Sequence, residues 1–195
     1  MKVRTVLIGL SLVAVFAAAT WAQRGPGYRS RNLTRNPDCP LCTSTAPLQE
    51  LSTEENGWLL YMREEEKLAL DVYTALYEKW GLRIFRNIAA SEKQHFDAIG
   101  TLIARYELED TALSEPGAFS TEDFQNLYES LVEEGGFSIA EALGVGVKIE
   151  TMDIDDLHAA IDNADNRDIL SVYANLLNGS ENHLDAFNSH LEVVN

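Results

Sequence analysis

The chain has 195 residues, 46% of them hydrophobic, with 15 Lys and Arg against 31 Asp and Glu and a formal net charge of -16. That length suits one globular domain plus a tail, and the acidic balance argues against nucleic acid or an anionic membrane as a partner. It suits attraction of cations; a solvated acidic surface that keeps the protein soluble accounts for the charge equally well.

The N-terminus reads as an export signal. Lys2 and Arg4 precede an apolar run from Thr5 to Ala19, and Thr20-Trp21-Ala22 offers a small-x-small cleavage site. The run is about 15 residues long where a bilayer span needs roughly 20. The expectation is therefore cleavage after Ala22 and an exported protein, periplasmic or secreted, in preference to an uncleaved anchor. Residues 23–50 read as a flexible linker, with Gly25-Pro26-Gly27, the arginines Arg24, Arg29, Arg31 and Arg35, three further prolines and no apolar period. Cys39 and Cys42, the only cysteines, stand in this linker as Cys-Pro-Leu-Cys. In an oxidising compartment they are candidates for a local disulfide, or else a thiol pair. A four-thiolate metal site needs a second such motif. No His follows Cys42 as haem attachment would require, and the flanks lack the strand and helix of a thioredoxin-type centre.

A helical domain follows over residues 51–193. Its first helix opens at the capping box Ser52 to Glu55 and runs to about Trp80, stopping at Gly81. Leu59, Met62, Ala69, Tyr73 and Leu76 form an apolar stripe that takes in Glu66, while Glu65 falls on a neighbouring stripe. One of the two glutamates should face inward, and Glu66 is preferred. The second helix spans about Ile84 to Tyr106. Glu92 and His95 lie inside its apolar face with Ile88, Ile99, Leu102 and Ile103. A spacing of three points both side chains the same way.

Residues 107–137 form a long connection with a short helix, about Thr121 to Glu134, inside it. Such a length lets the next long helix take a non-sequential place, as in bundles with one crossover. The third long helix begins at the capping box Ser138 to Glu141 and reaches about Ala164, with a break expected near Asp153. Glu150 shares its inner face with Leu143, Val147 and Leu157, and Asp153 follows three residues on. Gly144 and Gly146 signal either close helix approach or a kink. The fourth long helix runs from about Arg167 to Val193, with a bend expected at Gly179-Ser180. His183 lies on its inner stripe. A second Glu-x-x-His would put Glu at position 180, where Ser180 stands; Glu181 is rotated by about 100°.

The candidate metal set is therefore Glu66, Glu92, His95, Glu150 and His183, with Glu65, Asp153 and Ser180 as further candidates and Tyr73 placed to support a ligand. Glu-x-x-His pairs with single glutamates on neighbouring helices build carboxylate-bridged dinuclear sites in bundles. Oxygen and imidazole donors suit iron, manganese or zinc. The competing reading is a metal-free bundle whose acids and imidazoles satisfy one another. Burying three carboxylates and two imidazoles together without a cation is costly, which favours metal. His158 is expected to be solvated, and His190 to lie at a frayed end.

The run Met62-Arg63-Glu64-Glu65-Glu66-Lys67-Leu68-Ala69, then Asn87 to Glu92 with His95, Asp153-Ile154-Asp155-Asp156-Leu157 and Gly179-Ser180-Glu181-Asn182-His183-Leu184 resembles the domain-of-unknown-function family DUF2202 of the ferritin-like superfamily. The resemblance implies an all-α, ferritin-like four-helix bundle with a long crossover carrying a short extra helix, and a carboxylate-rich core site. It implies no established activity. The chain departs from the ferritin and rubrerythrin pattern at Ser180 and lacks a four-cysteine rubredoxin module. The leading expectation is an exported protein with a dinuclear iron or iron–manganese site acting on dioxygen or peroxide, possible oxidoreductase chemistry. The others are a periplasmic metal-sequestering module and a metal-free structural bundle. The implied partners are one or two metal ions and, in a homo-oligomer, a second copy of the chain.

Overall fold

The computed structural model describes residues 49–194. The segment expected to be a signal sequence, nearly all of the expected linker and the Cys39–Cys42 pair lie outside them. The described residues are all-α: α1 (Thr53–Trp80), α2 (Arg83–Arg105), α3 (Glu122–Gly135), α4 (Ile139–Asp162) and α5 (Arg167–Val194). None of these helices is long and apolar enough to cross a membrane.

Local chemistry sets most of the helix ends. Ser52 accepts from the Glu55 amide at 3.0 Å and Glu55 accepts from the Ser52 amide at 2.9 Å, the reciprocal cap of α1. Gly81 ends α1 in the left-handed region, at φ 66°, where only glycine avoids a steric cost. Thr121 and Ser138 cap α3 and α4 through their hydroxyls. Glu55 also reaches across the bundle, accepting from the backbone amides of Asp165 and Asn166 at 3.0 Å each. One carboxylate thus caps two helix starts.

Gly81 and Leu82 alone join α1 to α2, so the two run antiparallel; α4 and α5 form the second such hairpin. The hairpins face each other. Tyr73 of α1 meets Glu150 of α4, whereas Tyr61 meets Asp156, so these helices also run antiparallel. Likewise His183 of α5 meets Glu92 of α2, and Tyr106, which ends α2, meets Asp168. The connection after α2 must therefore climb the whole bundle, and it does so along α1. Arg63 holds Asp110 at 2.8 Å, Lys67 donates to the Glu115 carbonyl at 3.0 Å, and Ser120 donates to Glu64 at 2.7 Å. At the far end, Trp80 donates to the Gly135 carbonyl at 2.8 Å.

One expectation about helix continuity is overturned. α4 does not break at Asp153. The Asp153 carboxylate takes the Ser180 hydroxyl of α5 and so does not compete for its own helix amides. α5 is likewise one helix through Gly179 and Ser180. The glycines serve approach: a Cβ at Gly146 would lie 2.5 Å from the Phe187 ring, and one at Gly179 would lie 2.7 Å from the His95 ring, whereas Gly144 faces open space.

The interior is stratified. One apolar cluster holds Val72, Leu76, Phe85, Leu143 and Phe187; the other holds Leu59, Met62, Ile103, Leu157, Ile169 and Leu176. Each such side chain contributes roughly 1.5–3 kcal/mol by leaving water. Between the clusters lies a layer of buried acids: Glu65, Glu66, Glu92, Glu150 and Asp153, with Ser180.

Candidate metal centre

Glu92 is the hub of that layer. It is 2% exposed and projects from the apolar face of α2. Its Oε2 lies 2.8 Å from Nδ1 of His95, one turn along the same helix, and its Oε1 lies 2.8 Å from Nδ1 of His183 on α5. Glu66 of α1 approaches His95 Nδ1 at 3.4 Å, and Glu150 of α4 approaches His183 Nδ1 at 3.4 Å. The arrangement has an approximate twofold character. Glu66, Glu92 and His95 form one trio and Glu92, Glu150 and His183 another, and within each trio one donor atom per residue lies within 4.8 Å of the others. The two imidazoles face each other with ring centres 5.7 Å apart and planes 27° apart. All five residues picked out in the sequence meet here.

Glu92 thus makes a short charged contact with each imidazole. Glu66 Oε1, Asp153 Oδ1 and both Glu65 oxygens are buried and, as carboxylates, accept from no hydrogen-bond donor. Buried polar atoms are ordinarily satisfied, and an orphan costs about 1–3 kcal/mol. These oxygens, with Glu92, Glu150 and the two imidazoles, form a set of lone-pair donors that a cation would satisfy.

The electrostatics follow from this crowding. Burial, then the field of Asp153, pushes Glu66 well above the usual carboxylate range, and the same two causes act on Glu65. Burial also raises Glu150 and Asp153, each to about 7. Glu92 alone goes down. Burial would raise it, but contact with His183 and His95 outweighs burial and holds it at about 2. Burial likewise opposes the charge on His183, and Glu150 and Glu92 override it to about 9.

The remaining candidates separate by role. Tyr73, fully buried, donates to Glu150 Oε1 at 2.7 Å and fixes that carboxylate. Ser180 contacts the Asp153 carboxylate and the Leu176 carbonyl, so its hydroxyl orients Asp153. Glu65 and Glu66 are both buried, where only one inward glutamate was expected. Glu66 turns to α2 and Glu65 to α4, since α1 has neighbours on three sides. Glu64 and Lys67 are buried as well, which periodicity did not reveal: Glu64 accepts from Ser120 and Lys67 pairs with Asp71 beneath the crossover. His158, His190 and Glu181 are exposed.

Comparison with known proteins agrees with this architecture. The chain is 50% identical over 145 residues to uncharacterized protein MJ0754 of Methanocaldococcus jannaschii, an alignment covering 74% of this chain and 78% of that protein. The crystal structure of hypothetical protein MJ0754 superposes with a TM-score of 0.75 at 48% identity, covering 77% of this chain and 87% of that one. The crystal structure of a DUF305 fragment from Deinococcus radiodurans superposes with a TM-score of 0.58 at 12% identity, over 74% of this chain and 99% of that one, a likeness of fold alone. The profile of the uncharacterized protein domain DUF2202 matches residues 55–194, and the chain belongs to that family.

Proposed function

We propose that this chain is an exported metal-binding protein whose bundle holds two transition-metal ions, iron or manganese, between the facing hairpins in the manner of ferritin-like proteins. The observation that carries the reading is the pair of trios sharing Glu92, set in a layer where several buried carboxylate oxygens accept from no hydrogen-bond donor. Glu66 and His95 would hold one ion and Glu150 and His183 the other, with Glu92 bridging. Asp153, oriented by Ser180, supplies a further carboxylate to the layer. It stands in for the glutamate that a symmetric motif would place at position 180.

When bound, such a pair of ions supplies electrons to dioxygen or peroxide. The protein's part is to hold the donors and keep bulk water out. His95 and His183 are 11% and 12% exposed, and the apolar clusters seal the layer above and below. Tyr73 holds Glu150 through its hydroxyl, so one carboxylate oxygen is committed and the other is left for a ligand. Ser180 in place of a second bridging carboxylate favours a second reading, storage of metal without turnover.

Elemental analysis of purified protein tests the centre. About two ions per chain are expected, and Glu92→Gln should lose them. A protein that retains no metal and shows no thermal shift with ferrous, manganous or cobaltous ions would refute the centre. Stopped-flow absorbance of the ferrous protein mixed with oxygen or peroxide then separates turnover from storage.

A further inference from the structure

We propose that the outer face formed by α2 and α5 joins two copies of this chain into a symmetric dimer, α2 of each copy lying on α5 of the other. The contact needs no metal and stands apart from the centre.

The middle of this face is uncharged. Asn87, Ser91 and Gln94 share one side of α2, and Asn175, Asn178 and Asn182 share one side of α5; all but the half-buried Ser91 are exposed. The chain has 31 Asp and Glu against 15 Lys and Arg, so a symmetric contact through an acidic surface would set acid against acid. Asn and Ser are also poorer helix formers than the Lys and Glu that suit solvated helices. The strip therefore forgoes helix stability as well as charge.

The two edges of the face carry opposite charges. Arg86 and Lys93 precede Asn87 and Gln94 by one residue, so they turn by about 100° to the edge of α2 that faces away from α5. Arg83 stands one turn before Arg86. Glu181, one residue before Asn182, turns likewise to the far edge of α5, and Asp185 and Glu192 follow it there. All six are exposed. The one exposed acid of α2, Asp97, is held by Lys93 at 2.5 Å. Among the described residues, Arg83, Arg86, Glu181, Asp185 and Glu192 join no ion pair.

The edges also match in height. Phe85 meets Phe187, Glu92 meets His183 and Arg105 meets Asp168, which fixes the register of the two antiparallel helices. On that scale Lys93 is level with Glu181, Arg86 lies between Asp185 and Glu192, and Arg83 lies within a turn of Glu192. A two-fold axis along the seam keeps height and exchanges the helices, so each basic edge meets the other copy's acidic edge. Rim charges of this kind set orientation more than affinity. The strip runs about 27 Å from Ser171 to Ser189 and, over two helices packed about 8–10 Å apart, is about 20 Å wide. That gives about 500 Å² per copy and about 1,000 Å² in all, enough for a specific but dissociable dimer.

The test is sedimentation velocity of the full chain, in chelator, over a concentration series reaching about 1 mM. A reversible dimer is expected. Arg86→Glu sets acid against Asp185 and Glu192 at two places in each dimer and should weaken it about tenfold. Adding Asp185→Arg should restore it. Lys148→Glu, exposed on α4, changes the net charge equally and should dimerise as the wild type does. Asn178→Arg puts a bulky side chain into the strip and should abolish the dimer. A chain that stays monomeric throughout the series would overturn the proposal. So would a dimer that withstands both Arg86→Glu and Asn178→Arg, equal weakening by Lys148→Glu, or no recovery in the double variant. Every substituted position is exposed, so each variant keeps its fold, which circular dichroism checks.

Discussion

Gly179→Ala sets the metal reading against simple helix energetics, because the two predict opposite signs. A Cβ at position 179 would lie 2.7 Å from Cε1 and Nε2 of His95, and ordinary contact begins at 3.4 Å. The ring must retreat by about 0.7 Å. Without metal the retreat is cheap, because His95 is a partly exposed side-chain end, and Ala gains about 1 kcal/mol over Gly in a helix interior. Stability in the presence of chelator should therefore stay within about 1 kcal/mol of wild type or rise. With metal the same displacement exceeds the roughly 0.2 Å tolerance of a metal–ligand distance. Affinity for the ion held by Glu66, Glu92 and His95 should fall about 10–100-fold, the range seen when the setting of a ligand is disturbed. Chelator-competition titration with Mn²⁺ or Co²⁺, paired with urea unfolding in chelator, measures both. Wild-type affinity in the variant would show that the His95 ring is not held by metal. An equal loss of stability with and without metal would show that packing alone positions it.

Three further outcomes follow from the geometry. Tyr73→Phe removes the hydroxyl that donates to Glu150 Oε1 and should cost about 1–3 kcal/mol in urea unfolding, the penalty for an unsatisfied buried acceptor; an unchanged midpoint would mean that Glu150 finds another donor. Gly146→Ala drives a methyl into the Phe187 ring, within the apolar cluster, and should destabilise the protein by about 1–3 kcal/mol with or without metal. The metal-free protein should lose stability as pH rises from about 6.5 to about 9, because folded His183 keeps a proton there that the unfolded chain releases. The raised Glu150 and Asp153 act in the same direction above the unfolded carboxylate range, whereas Glu92, held at about 2, withdraws its contribution only as pH falls below that range. Urea midpoints in chelator that climb between pH 6.5 and 9 would contradict this balance.

Local signals were the ones written plainly in the chain. The Ser52–Glu55 cap, the stop at Gly81 and the caps Thr121 and Ser138 depend on neighbours three or four residues away, and all stand where the residues place them. Glu92, His95 and His183 were legible because each interrupts an apolar stripe, and a 3.6-residue period fixes direction. What stayed hidden depends on distant partners. Four consecutive residues of α1, Glu64 to Lys67, are buried because α2, α4 and the crossover surround that helix, so it has no solvated face there to contrast with an inner one. Asp153 looked like a helix breaker because its partner, Ser180, lies 27 positions away in the chain.

The stratified interior gives the acidic layer a mechanical meaning. Each apolar cluster draws on all four long helices, and in the plane between them buried carboxylates repel one another. A bundle built this way is cinched at both ends and slack at the waist until positive charge arrives there. Amide hydrogens of α2 and α4 flanking Glu92 and Glu150 would then exchange faster than those beside Phe85 or Leu157, and a divalent ion would act as the rivet that closes the waist.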